Sequence, residues 1–296
     1  MPEISVIAGP ASSDLADKIA KRLGAHLVSA ELRVFSDGES KIKMGRAGKI
    51  CVIVQSTYPP TDTHLMQALM LSKKCADDGS RDVCAVIPYL AYARQDRAFL
   101  EGEVVSIALV AKLLEAAGVR HVITVDIHSQ LAMSHFVSVQ NVSSIPILAD
   151  HVSRMKLHSP VAVSPDAGGA DRAKEFAKRL KADFVALKKS RDRTTGEVMV
   201  DEKLDIDVSG RDAILVDDMI SSGGSIVKAA ELLRKKGAGK IYAMCAHALL
   251  IGDAAQKIKA AGVQNIIATN SVPGKYAKVD LSPAIAETIK SRYSSA

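Results

Sequence analysis

The sequence has no tryptophan, and its six tyrosines and five phenylalanines make up an aromatic content of only 4%. So few rings offer little surface for stacking bases, which argues against a nucleic-acid partner. The four cysteines, Cys51, Cys75, Cys84 and Cys245, form no CxxC pair and no zinc-type spacing. A disulfide scaffold and a zinc module are thereby excluded, and free thiols in a reducing compartment are expected. No uncharged apolar run approaches the roughly 20 residues that span a bilayer, so no membrane partner is expected. The opening MPE leads straight into a strand pattern without the basic and apolar regions of a signal peptide, which makes the cytoplasm the expected location. Low-complexity linkers are also missing. The formal charge of +6 is small and its lysines and arginines are scattered, so anionic small molecules account for it as well as polymers do. What remains is an ordinary globular composition, 48% hydrophobic and 24% charged, with 296 residues, enough for two cores.

The chain repeats itself at half its length. Ser5–Ser29 and Ala162–Ala186 share a strand, a loop, an aspartate (Asp14, Asp171) and a helix ending in AKRL. Ile53–Lys74 and Leu215–Lys236 each run strand, polar loop, helix and double lysine. Short apolar runs alternate with helical patterns in both halves, so each half is expected to be a parallel α/β sheet flanked by helices. The boundary falls near Ser143–Pro146, giving domains 1–144 and 145–296.

The copies diverge where chemistry would sit. The second has AILVDDMISSGGS at Ala213–Ser225: an apolar strand, the carboxylates Asp217 and Asp218, and then Ser221, Ser222, Gly223, Gly224 and Ser225 before an amphipathic helix. Such a loop offers backbone N–H groups and the positive end of a helix dipole to a phosphate. The aspartates suit sugar hydroxyls or a metal held through water. A pentose 5-phosphate meets both demands; the plain alternative is a polar turn whose serine caps a helix. The first copy has Gln55 and Ser56 in place of the acidic pair, which predicts a single sugar-phosphate site per chain.

Other segments are less specific by themselves. Asp166-Ala167-Gly168-Gly169, between a strand and a helix, makes a natural pyrophosphate nest. Phe35-Ser36-Asp37-Gly38-Glu39 reads as a turn between short strands. Tyr92–Arg97, YARQDR, reads as a loop whose arginines bracket Gln95 and Asp96 in what could be a solvated salt-bridge patch. Asp126 and His128 lie two apart at a strand end, where alternation puts them on one face. Leu187–Val198, charged and glycine-containing, reads as an exposed hairpin loop.

VDDMISSGGS resembles the phosphoribosyl-binding signature of type I phosphoribosyltransferases and of ribose-phosphate pyrophosphokinases (PRPP synthetases). YARQDR, FSDGE and the duplicated first half are similar to the latter alone, and the resemblance covers essentially the whole chain. It implies two type I phosphoribosyltransferase-like domains, with the last helical stretch, Pro283–Arg292, packing back on the first. It further implies Mg²⁺-dependent transfer of the β,γ-pyrophosphoryl group of ATP to the 1-hydroxyl of ribose 5-phosphate, in a homo-oligomer, dimer or larger. By the same resemblance Phe35, Asp37, Gly38, Glu39, Arg94 and Gln95 would bind ATP, and Asp166–Gly169 the pyrophosphate. His128 and Asp166 would serve the metal. Asp217, Asp218, Ser221–Ser225 and Arg191 would bind ribose 5-phosphate, and Lys189 and Arg191 would be catalytic. Two positions depart from the family pattern: Ala98 replaces a basic residue after Arg97, and Ser221 replaces a carboxylate, so it cannot act as a base. The competing expectations are a nucleobase phosphoribosyltransferase and a non-catalytic PRPP synthetase-associated regulatory subunit.

Overall fold

The computed structural model describes residues 3–187, 189–191, 198–200 and 204–294, with backbone alone over 189–191 and 198–200. The chain divides into two compact units. One comprises Met1–Ser143, Ser271–Pro273 and Asp280–Ala296; the other comprises Ser144–Asn270 and Gly274–Val279.

The first unit runs β1 (Ile4–Ala8), α1 (Ser13–Leu23), β2 (His26–Val34), β3 (Ser40–Met44), β4 (Ile50–Val54), α2 (Thr61–Asp77), β5 (Asp82–Ile87), α3 (Ser106–Ala116), β6 (His121–Val125), α4 (Gln130–Met133) and β7 (Val139–Val142). Its sheet has the order β3-β2-β1-β4-β5-β6-β7, parallel except for the β2–β3 hairpin. Every residue of β1, β4 and β6 is buried, which is why these strands read as unbroken apolar runs rather than alternating ones.

In the second unit α5 (Ile145–Ser153) precedes β8 (Val161–Ser164), a 3₁₀ turn at Ala167–Gly169, α6 (Ala170–Leu180) and β9 (Asp183–Ala186). The short strands β10 (Lys189–Arg191) and β11 (Val198–Val200) pair with each other, antiparallel. Then come β12 (Ala213–Ile220), α7 (Gly224–Lys235), β13 (Ile241–Ala248), α8 (Ala254–Ala260), β14 (Val263–Thr269) and β15 (Ala277–Val279). The main sheet is parallel throughout, in the order β15-β14-β13-β12-β8-β9.

Read from β9, that order repeats β2-β1-β4-β5-β6-β7, so the sequence repeat is a repeat of topology. The strand register locates one insertion. Val6 pairs with Val52 and Ala162 with Ile214, whereas the helix-ending left-handed residues are Gly24 (φ +60°) and Lys181 (φ +53°). The helices therefore superpose with one more residue of offset than the strands that precede them. The extra residue lies in the loop holding Asp166–Gly169.

Each unit also has a helix over its first helix. α5 packs Ile145, Leu148, Ala149 and Val152 with Ala173, Phe176 and Ala177 of α6. In the first unit α1 is packed instead by α9 (Ser282–Ser294), which buries Ile285, Ala286, Ile289 and Tyr293. Arg22 fastens the pair, donating from Nε to Ser282 Oγ at 2.8 Å. Phe176, fully buried, is the largest such side chain, and truncation to alanine would cost about 3–5 kcal/mol.

Candidate functional site

The acidic pair lies at the carboxyl end of β12, where parallel sheets place their ligand crevices. Ala213–Val216 anchor the strand in the core, leaving Asp217 and Asp218 with side-chain exposures of 17% and 7%. The backbone fixes both carboxylates. Asp218 donates its N–H to Asp217 Oδ1 at 2.9 Å, and Met219 donates to Asp218 Oδ1 at 2.9 Å. Burial, and then the charge of Asp218, push Asp217 far above the carboxylate range, to about 8, while Arg172 pulls it back. Arg172 Nη1 lies 3.7 Å from an oxygen of each aspartate.

Beyond Ile220 the chain turns through Ser221–Gly223 into α7. Gly223 caps the helix at φ +78°, and a Cβ there would stand 2.9 Å from Ile258 Cδ1. Both the conformation and the space demand glycine. The result is a helix N-terminus with small residues ahead of it, open to an anion.

The second loop is shaped from within. Ser164 Oγ donates to the Asp166 carbonyl at 2.6 Å, and Asp166 Oδ1 accepts from the Gly169 N–H at 3.2 Å. A Cβ on Gly169 would meet Ser164 Oγ at 2.8 Å, so this tight turn also excludes larger residues. One Asp166 oxygen is thus occupied as a cap. Among the described residues no three His, Cys, Asp or Glu side chains gather as a metal site. The available carboxylate oxygens fit Mg²⁺ better as a partner of phosphates and water than as an ion in a protein cage.

In the first unit FSDGE closes the β2–β3 hairpin. Phe35 donates its N–H to the Glu39 carbonyl at 2.9 Å, and Asp37 Oδ1 accepts from the Glu39 N–H at 3.1 Å. The Phe35 ring is 37% exposed with the Arg33 guanidinium 5.0 Å from its centroid, so a face is available for stacking. YARQDR lies beyond β5. Arg94 is exposed, while Gln95 Nε2 donates to Glu103 Oε2 at 3.0 Å. Glu103 also accepts from the N–H groups of Phe99 and Leu100, and these bonds hold it below the usual carboxylate range. Asp96, 4% exposed, accepts from Arg97 Nε at 3.1 Å and from the Ser129 hydroxyl, and both bonds lower its pKa. YARQDR and the segment carrying His128 are therefore one structure.

His128 does not share a strand face with Asp126. β6 ends at Val125 and Asp126 has φ +38°, so alternation does not reach His128. Asp126 is buried and His128 exposed.

In the first copy Gln55 and Ser56 are fully buried and engaged. Gln55 Oε1 accepts from the Ala11 N–H at 3.0 Å, and Ser56 Oγ donates to the Ser271 carbonyl at 2.6 Å. The crevice of that copy is filled by its own chain. Lys189 and Arg191 lie on β10, and their side chains fall outside the described residues. Arg172 was not foreseen; its signal was Leu15, the apolar residue at the matching position of α1.

Two family descriptions match the chain: "N-terminal domain of ribose phosphate pyrophosphokinase" over residues 4–118 and "Phosphoribosyl synthetase-associated domain" over residues 201–294. The ribose-phosphate pyrophosphokinase of Methanothermobacter thermautotrophicus is 39% identical over 288 residues, covering 96% of this chain and 99% of the relative. That of Sulfurisphaera tokodaii is 36% identical over 290 residues with the same coverage, 96% and 99%. The crystal structure of phosphoribosylpyrophosphate synthetase from Mycobacterium smegmatis superposes with a TM-score of 0.87 at 28% identity, covering 99% of this chain and all of that one.

Proposed function

The chain belongs to the ribose-phosphate pyrophosphokinase family, and from that membership we propose how its residues carry the reaction. ATP and ribose 5-phosphate are converted to PRPP and AMP. Ribose 5-phosphate binds in the second unit, its phosphate on the N–H groups of Ser221–Ser225 and its 2- and 3-hydroxyls on Asp217 and Asp218. The observation that carries this reading is the buried acidic pair at the strand end that leads into an open helix N-terminus. The loop Asp166–Gly169 receives the pyrophosphoryl group.

In the first unit Phe35 stacks on adenine, while Asp37, Gly38 and Glu39 meet its edge, and Arg94 and Gln95 contact the nucleotide. The 1-hydroxyl oxygen attacks the β-phosphorus of ATP, the bond from that phosphorus to the oxygen bridging to the α-phosphate breaks, AMP leaves, and the hydroxyl proton passes to solvent water. Ser221 offers no strong base, so alignment and charge neutralisation do most of the work. Lys189 and Arg191 stabilise the charge that develops on the transferred group. Asp166 and His128 would each serve Mg²⁺, directly or through water, and the ion would supply charge neutralisation for phosphate oxygens. We assign the chain to the cytoplasm, on its unpaired buried cysteines, and to a homo-oligomer, on the exposed Met66, Leu109 and Leu113 of α2 and α3.

An AMP-release assay with ATP, Mg²⁺ and ribose 5-phosphate tests the reading. Release dependent on ribose 5-phosphate is expected. Silence in that assay would leave a regulatory subunit, and activity only with PRPP and a nucleobase would leave a phosphoribosyltransferase.

A further inference from the structure

We propose that Arg172 is a positioning residue for the ribose site, holding Asp217 and Asp218 as a rigid pair of acceptors for the sugar hydroxyls; this rests on the reading of those aspartates given above. Arg172 enters from the first turn of α6, directly after the Asp166–Gly169 loop. Its side chain is only 19% exposed, and Nη1 lies 3.7 Å from both Asp217 Oδ1 and Asp218 Oδ1. A Cβ placed on Gly169 would stand 3.6 Å from the same nitrogen. One guanidinium thus ties the end of β12 to the loop on the neighbouring strand.

The internal repeat supplies the control. In the first unit the helix position of Arg172 is Leu15, 3% exposed, and the strand positions of the aspartates are Gln55 and Ser56. Ionisable side chains stand at all three positions in one copy and at none of them in the other. Two adjacent buried carboxylates repel each other and lose solvation unless a cation faces them. A general capping role for α6 would not track the acidic pair in this way, since both helices begin after the same kind of loop. At 3.7 Å the pairs are longer than direct hydrogen bonds, so the guanidinium steadies the two carboxyls through its charge.

The test is calorimetric titration of the full chain with ribose 5-phosphate, with KM for both substrates and kcat, for Arg172→Met, Arg172→Lys and Asp217→Asn. Arg172→Met should weaken ribose 5-phosphate binding about 10- to 100-fold, the loss usual when an orienting partner behind a ligand-binding side chain is removed. The KM for ATP should stay within about twofold, and Arg172→Lys should recover most of the affinity, because an ammonium restores the charge though not the fork. Normal binding by Arg172→Met, with Asp217→Asn impaired, would overturn the role of Arg172 and leave the ribose site standing. Normal binding by Asp217→Asn would overturn the site itself. Equal losses for both substrates, with no rescue by lysine, would reduce Arg172 to a structural residue and overturn the proposal.

Discussion

Ala11 donates its N–H to Gln55 Oε1 at 3.0 Å, inside the first copy of a crevice that the second copy fills with charge. Gln55 is fully buried, and Leu15 stands where the other copy has Arg172. Gln55→Asp would bury a carboxylate without that cation, at about 3 kcal/mol or more. The urea midpoint should drop accordingly. A midpoint equal to that of the parent chain would mean the first copy tolerates charge, and that its divergence has another origin.

Gly223→Ala should lower stability and weaken ribose 5-phosphate binding together. Its φ of +78° costs about 1–2 kcal/mol for any L-residue, and the added methyl would press on Ile258. Gly224→Ala, at ordinary φ with nothing within 4 Å of its Cβ, should leave stability nearly unchanged. Equal thermal shifts for the two variants would contradict this account of the turn.

The pH dependence follows from Asp217. Its folded pKa near 8 lies above the ordinary value of 3.8, so the folded state holds a proton that the unfolded state releases. The stability contributed is full below about pH 4, falls as pH rises between the two values, and is lost above about 8. Asp217→Asn should flatten that decline when denaturant unfolding is compared across the window. An unchanged slope in the variant would assign the decline to other groups.

How much of this was legible in the sequence differs by feature. Asp217–Ser225 was legible because the chemistry is contiguous: strand, acids, glycine turn and helix follow one another in the chain. Arg172 was not, because ADRAKEFAKRL reads as a solvated charged face, and only its helical phase turns one arginine inward. Asp126 and His128 misled, since period-two reasoning assumed a strand that stops at Val125. The bonds of YARQDR, Asp96 to Ser129 across 33 positions and Gln95 to Glu103 across eight, are side-chain pairings that no local pattern carries.

The Asp96–Ser129 contact gives its own prediction. Ser129→Ala removes one of the two side-chain donors to a buried carboxylate and loosens the YARQDR loop from the His128 segment. The KM for ATP should rise about tenfold, the size of one hydrogen bond to a charged group, with little change in that for ribose 5-phosphate. Steady-state kinetics that show the reverse selectivity would remove the loop from nucleotide binding.

The central claim is that duplication has left one sugar-phosphate site, in the second unit. Calorimetric stoichiometry of ribose 5-phosphate tests it most directly. One molecule per chain is predicted, with binding abolished by Asp217→Asn combined with Asp218→Asn and untouched by Ser56→Ala. Two molecules per chain, or one that survives loss of both aspartates, would contradict the account.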